Sequence, residues 1–390
     1  MRAVILYPKL GPLHAARLIA AHRYFAARGN QLECIEVASE QSDYPWRSTT
    51  ELPELTLRTL FPNRDYRRLK RGETVRAVHR AMSAKAYDAA AIVGWAMTES
   101  WAALAYCVSR NVARVCITDT QYGDNRHFYK PVVEQVKRIV VRAYDAAFVG
   151  GRSSKRYIVE LGMPEAMCTD GCDVIDNAVF ASVEPDFTPT SLRFMTAARL
   201  IAVKNIPATV QRLARLEMPW EWTIAGHGSE HETIERVAAA CGVRDRIHLV
   251  GAVDYANLGP HFAAANVYLQ PSTSEPWGLA INDAMAAGLP VLASTQCGCQ
   301  EDLIRDNGFT FDAHDAPSFV RAVEAAWSAR KRWKQMGSAS RTIIANWSLE
   351  RFARNLHEAC RLAVERRRAR WSPWITNPEP RAPGSSSAKH

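Results

Sequence analysis

The sequence predicts an α/β protein built from two doubly wound parallel sheets that face one another across a cleft. Three observations lead there. Short apolar runs alternate with helix-length segments through both halves of the chain. One polar, proline-bearing break interrupts that alternation near the middle. The length, 390 residues, suffices for two cores of ordinary size.

In the first half, Val4–Tyr7 reads as a strand, followed by Pro12 and a helical run over Leu13–Arg28 that Gly29 closes as a C-cap. Leu32–Val37 alternates and reads as the next strand. Ala89–Gly94, Val112–Ile117 and Ala146–Val149 are three further buried strands, and helix-length spacers between strands predict parallel pairing. The break falls at Asp173–Pro189, with Glu184-Pro185-Asp186-Phe187-Thr188-Pro189 as the linker. Beyond it, strands are expected at Arg193–Ala197, Trp220–Ala225, Arg246–Val250, Val267–Gln270 and Pro290–Ala293. Helices fall between them at Pro207–Leu216, Glu230–Cys241 and Asn282–Ala287. Trp347–Arg370 reads as an amphipathic helix. The expected division is 1–183, 184–347, a closing helix over 348–371, and a disordered Pro/Ser-rich tail over 372–390.

Composition narrows the class. Hydrophobic residues make up 47% and charged residues 23%, the mix of a folded globular protein. No run approaches the roughly 20 apolar residues that span a bilayer. Met1–Pro8 has the look of a first strand rather than a signal peptide, so a cytoplasmic location is expected. Nine scattered cysteines fit free thiols, and the close pairs Cys297/Cys299 and Cys168/Cys172 lack the second pair a closed zinc site needs. No metal is expected.

The net charge of +9 gathers in three blocks, Arg64–Arg71, Arg330–Lys334 and Arg366–Trp371. Basic blocks with interleaved Trp fit an anionic membrane surface, a nucleic acid or an anionic substrate; a solvated helix face is the plain alternative.

The chemistry-bearing residues cluster in the second half. A strand ending near Gln270 runs into a loop carrying Glu275. That loop passes Gly278 and enters a helix whose first turns hold Asn282 and Asp283. Glycine lets backbone approach a ligand, and a helix start offers N–H groups to an anion. Carboxylates accept hydrogen bonds from sugar hydroxyls, and two of them eight residues apart can enter one pocket. Arg199 and Lys204, in another strand-to-helix loop, suit a diphosphate whose charge must be neutralised as it leaves. Gly226-His227-Gly228 reads as half a phosphate cradle, and Gly251 ends a strand at the same sheet edge.

The order Arg199…Lys204, Gly226-x-Gly228, Gly251, Glu275…Asp283 and Gly288-x-Pro290-Val291 resembles the retaining glycosyltransferases of family 4, which have the GT-B fold of two Rossmann-like domains. The resemblance is close over Arg193–Phe311. It implies that Arg199 and Lys204 hold the donor's diphosphate and that Glu275 lies by the donor sugar. Backbone groups of Trp277, Gly278 and Leu279 would approach sugar and phosphate. Asp283, where the family has a longer Glu, would bind ribose hydroxyls. Gly11 is what remains of the family's glycine-rich loop facing the phosphates. Asp119 stands where the family often has a His, and either orients sugar or acceptor or caps a loop. The closing helix is expected to cross back onto the first domain.

The implied reaction is a retaining transfer from a nucleotide-diphosphate sugar. A donor phosphate oxygen takes the acceptor proton, and no cofactor is needed beyond the donor as co-substrate. The expected acceptor is a lipid-linked saccharide or polysaccharide, with peripheral association at the inner membrane face. A sugar-nucleotide epimerase, a phosphorylase, a non-catalytic sugar-nucleotide binder and a nucleic-acid-directed protein remain as alternatives.

Overall fold

A computed structural model describes residues 1–42, 55–122, 130–188 and 190–371. The expected tail over 372–390 lies outside the described residues.

Two all-parallel sheets form the frame. The first contains β1 (Arg2–Tyr7), β2 (Gln31–Glu40), β3 (Thr56–Asp65), β4 (Ala89–Val93), β5 (Ala113–Thr118), β6 (Ala146–Val149) and β7 (Cys168–Asp170). Their order in space is β3-β2-β1-β4-β5-β6-β7. The second contains β8 (Leu192–Ala197), β9 (Trp220–Ala225), β10 (Ile247–Gly251), β11 (Val267–Gln270), β12 (Val291–Ser294) and β13 (Gly308–Phe311), ordered β10-β9-β8-β11-β12-β13. Helices cover both faces of a parallel sheet, so central strands are buried on both sides; all six residues of β5 are buried.

The helices of the first half are α1 (Pro12–Ala26), α2 (Arg71–Met82), α3 (Thr98–Ser109), α4 (Lys130–Arg142) and α5 (Arg152–Glu160). The second half adds α6 (Ile206–Leu213), α7 (His231–Ala240), α8 (Gly259–Ala264), α9 (Leu279–Ala286), α10 (Gln300–Leu303), α11 (Ala316–Ser328), α12 (Trp333–Ala345) and α13 (Leu349–Trp371).

In each sheet the chain turns back once, between β1 and β4 in the first and between β8 and β11 in the second. At such a switch point adjacent connections depart in opposite directions and leave a crevice beyond the strand ends. The loops after β8 and β11 are therefore neighbours, although about 70 residues separate them.

Three strands go beyond the sequence expectation, and all three are sheet edges: β3, β7 and β13. An edge needs less burial, so its pattern is weak. β3 also carries Pro62, which an edge strand tolerates because one side of its backbone is unpaired.

The amphipathic reading of the closing helix holds. α13 buries Phe352, Ala353, Leu356, Ala359, Cys360 and Ala363 on one face, and packs on α1, β5, β6 and β7. Phe352 meets Phe148 edge-on at 5.2 Å. Much of its basic block is structural: Arg366 donates to the Asp145 carbonyl at 2.9 Å, and Arg370 lies 3.5 Å from the Asp145 carboxylate. Fully buried Asp145 also pairs with Arg114 at 3.0 Å. In the block at Arg330–Lys334, Trp333 is a core side chain. The aromatic ring of that block is therefore withdrawn from the surface.

Candidate active site

The loops after β8 and β11 are laced together. Thr273 N donates to the Val203 carbonyl at 2.8 Å and Asn205 Nδ2 to the Pro271 carbonyl at 3.2 Å. This lacing brings Lys204 Nζ onto Glu275 Oε2 as an ion pair, with both side chains largely buried. Beneath Glu275 runs a buried polar string: Tyr268 OH donates to Gln270 Oε1 at 2.9 Å, and Gln270 Nε2 to Ser272 Oγ at 2.8 Å. Gln270 and Ser272 also approach Glu275 Oε2, at 3.3 and 3.4 Å. The acid is thus fixed from below and by a cation. Arg199 sits at the start of the same loop as Lys204, with an exposed side chain.

Gly226 and Gly228 serve this loop by crowding. A Cβ on Gly226 would stand 1.8 Å from the Ala198 carbonyl oxygen, and one on Gly228 would stand 2.2 Å from that of Leu200. The Gly226 N–H donates to the Gly251 carbonyl at 2.7 Å. The two glycines let the β9–α7 turn support the Arg199–Lys204 loop, and the Gly226 N–H is engaged within the fold. Gly226→Ala is expected to cost about 3 kcal/mol by overpacking, as read by urea unfolding.

Gly278 has φ 107°, a left-handed turn that only glycine takes easily, and leads straight into α9, where Leu279 is half-buried. The Trp277 side chain is buried. It is wedged between domains: its ring lies against Gly150 and Gly151, where a Cβ would come within 3.1 and 2.6 Å of it, and beside Trp347 at 4.9 Å. Its Nε1 donates to Asn282 Oδ1 at 3.1 Å, and Asn282 Nδ2 donates to the Asp173 carbonyl at 3.2 Å.

Asp283 is buried and accepts a hydrogen bond from Tyr255 OH at 2.8 Å. Burial pushes its carboxyl up to about 7, against the Tyr255 hydrogen bond and the Arg17 charge, which pull it down. Arg17 comes from α1 of the first domain and is only 3% exposed. Its Nε donates to the Val174 carbonyl at 2.8 Å, Nη1 lies 3.7 Å from Asp173 Oδ1, and buried Nη2 has no hydrogen-bond partner. Burial raises the Asp173 carboxyl above its ordinary range.

The first domain approaches from above. Asp119, half-buried, follows β5. Two residues on, Gln121 Nε2 donates to the carbonyls of Glu275 and Gln296 at 3.0 and 2.9 Å. Gly11 caps α1, and its N–H donates to His14 Nδ1 at 3.0 Å, so that donor is also engaged internally. Burial, aided by Arg17, lowers His14 to about 3 and keeps it neutral. Arg156 pairs with Glu301 at 2.6 Å, and Arg152 N donates to Asp302 at 2.8 Å, closing the two domains on one side.

Sequence reasoning missed Arg17, Gln121, Asp173 and Tyr255. One signal existed: Arg17 stands four and eight residues before Ala21 and Phe25, on the apolar stripe of α1. Among the described residues no group of three or more His, Cys, Asp or Glu is arranged to hold a metal. All nine cysteines are free.

Residues 183–343, which include both laced loops, match the model of the family described as glycosyl transferases group 1. This stretch of the chain is similar to that family. The lipopolysaccharide core biosynthesis glycosyltransferase LpsE of Rhizobium meliloti is 31% identical over 161 residues, covering 40% of this chain and 46% of LpsE. The matched stretch is thus less than half of that relative. Among solved structures, sucrose-phosphate synthase from Thermosynechococcus elongatus superposes with a TM-score of 0.73 at 16% identity, covering 93% of this chain and 98% of that one. Anabaena HepE in complex with UDP gives 0.71 at 13% identity, over 92% and 99%. The fold of this chain is therefore GT-B, two Rossmann-like domains across a cleft, as the resemblance implied.

Proposed function

We propose that this chain is a retaining glycosyltransferase that moves a sugar from a nucleotide-diphosphate sugar to an acceptor hydroxyl, in the assembly of a cell-surface polysaccharide or glycolipid. The observation that carries this reading is the Lys204–Glu275 pair at the switch point of the second sheet, roofed by Gln121 of the first domain. The UDP bound by HepE and the lipopolysaccharide role in the name of LpsE support the donor and acceptor classes.

Each residue has a task in this reaction. Lys204 and Arg199 neutralise the charge that grows on the leaving diphosphate. Glu275, fixed by Lys204, Gln270 and Ser272, accepts hydrogen bonds from the donor sugar and sets its orientation. Backbone groups at Gly278 and Leu279, where α9 begins, face the phosphates. Asp283 takes the ribose hydroxyls. Asp119 orients the acceptor, and a donor phosphate oxygen receives the acceptor proton. No metal or further cofactor enters this scheme.

A thermal-shift screen of UDP-, GDP- and ADP-sugars, followed by mass analysis of products, tests the reading. One donor should raise the melting temperature and be consumed only with an acceptor. A donor altered without acceptor would indicate an epimerase, consumption that requires free phosphate a phosphorylase, and binding without turnover a non-catalytic role.

Asp283 gives a pH signature. Only its carboxylate form accepts two hydroxyl hydrogen bonds, so nucleotide-sugar affinity should fall as pH drops through about 7. The limiting slope is about tenfold per pH unit. The sign for folding is opposite: a carboxyl raised above its unfolded value weakens the unliganded fold as pH rises from about 4 to about 7. Titration calorimetry from pH 5.5 to 8 checks this, with Asp283→Asn expected to bind weakly and without the slope.

A further inference from the structure

Three helices, α2, α3 and α4, pack their apolar sides on one face of the first sheet through Val78, Ala81, Ala103, Cys107, Val140 and Val141. Their outward sides are also apolar where solvated charge is usual. Met97, Trp101, Ala105 and Val108 are all exposed and follow one another at helical spacing, with Trp101 46% exposed. On α4, Val132, Val136 and Ile139 repeat the pattern, at 63%, 47% and 70% exposure. Scattered single apolar residues on a surface need no explanation, but two stripes on helices of one sheet face do.

The charges around the stripes have one sign. The exposed charged side chains described on α2, α3 and α4 are Arg71, Arg76, Arg80, Arg138 and Arg142. Every acid on these helices is already engaged. Glu73 is tied to Arg64 at 2.5 Å, Glu99 is buried and accepts from Tyr66 at 2.8 Å, and Glu134 binds Lys137 at 2.9 Å. An apolar ridge edged by exposed arginines complements a surface that is apolar inside and anionic at its rim.

We propose that the α2–α4 face docks the chain on an anionic lipid bilayer. Trp101, Val132, Val136 and Ile139 enter the headgroup boundary, and the arginines meet lipid phosphates. α3 begins just beyond the carboxyl end of β4, so the docked face borders the opening of the interdomain cleft. Among the described residues no helix is long and apolar enough to cross a membrane, so this attachment lies in the surface plane. The inference concerns binding to lipid and stands apart from the proposed transfer reaction.

Flotation of the full chain with vesicles tests it. Binding is expected to vesicles of 30% phosphatidylglycerol in phosphatidylcholine and not to phosphatidylcholine alone. Val136→Glu with Ile139→Glu should reduce partitioning by more than about tenfold. Arg138→Gln with Arg142→Gln should reduce it by about fivefold per arginine and flatten its salt dependence. Both variants should keep the thermal shift given by nucleotide sugar. Absence of flotation with anionic vesicles, or flotation that neither pair alters, overturns the proposal. So does a dimer in light scattering that Val136→Glu/Ile139→Glu disperses while vesicles are ignored, which would assign the face to a second copy of the chain. Retained vesicle binding without sugar transfer would sink the catalytic reading and leave this one standing.

Discussion

Lys204→Met is expected to lower kcat by about two to three orders of magnitude, the usual size for losing one preorganised group that stabilises transition-state charge. The fall should be larger in kcat than in donor affinity, because the diphosphate gains charge as the glycosidic bond breaks. The fold should survive. Lys204 and Glu275 keep side-chain exposures of 13% and 15%, and Glu275 retains Gln270 and Ser272 nearby when the lysine is gone. A stability loss of about 1–2 kcal/mol is the expected scale for an ion pair between surface and interior. Lys204→Arg, which keeps the charge but changes its reach, should recover part of the rate. Steady-state kinetics beside a melting curve decide the matter: full turnover in Lys204→Met would remove the residue from the mechanism.

What the sequence made legible and what it hid divide on physical lines. Lys204 and Glu275 could be read because each follows a short apolar strand in a strand-to-helix loop, where parallel sheets place ligands. Their contact could not be derived from the order of residues alone, because it depends on β8 lying beside β11 in space. Gly226 and Gly228 were read as phosphate glycines. Close approach by a carbonyl selects glycine as strongly as a phosphate does, and here the neighbours are the Ala198 and Leu200 carbonyls. The indole of Trp277, next to Glu275, fills the domain junction, a contact that the order of residues does not show. Charge along a chain says nothing of its partners in the fold. Asp145, more than 200 residues before Arg366 and Arg370, absorbs part of the last block. The apolar stripes of α3 and α4 emerge from exposure, which composition does not reveal.

Arg17→Met carries the largest expected cost in stability, and its pH dependence separates charge from packing. Arg17 is the cation within charge range of two buried acids, Asp173 and Asp283. Taking away one partner of a buried charge cluster leaves the other charges uncompensated, at about 3–5 kcal/mol. Both carboxyls already sit above their ordinary range through burial, and without Arg17 both must rise further. A carboxyl whose folded value exceeds its unfolded value costs nothing while protonated and weakens the fold as pH climbs through that window. Arg17→Met should therefore unfold at lower urea at pH 8 than at pH 6, while the wild-type chain changes less over the same span. Adding Asp173→Asn to Arg17→Met should recover part of the loss at pH 8, since one of the two stranded charges is then gone. An equal loss at both pH values would show that Arg17 acts through its hydrogen bond to the Val174 carbonyl and its packing alone. The charge argument for the floor of the cleft would then fail.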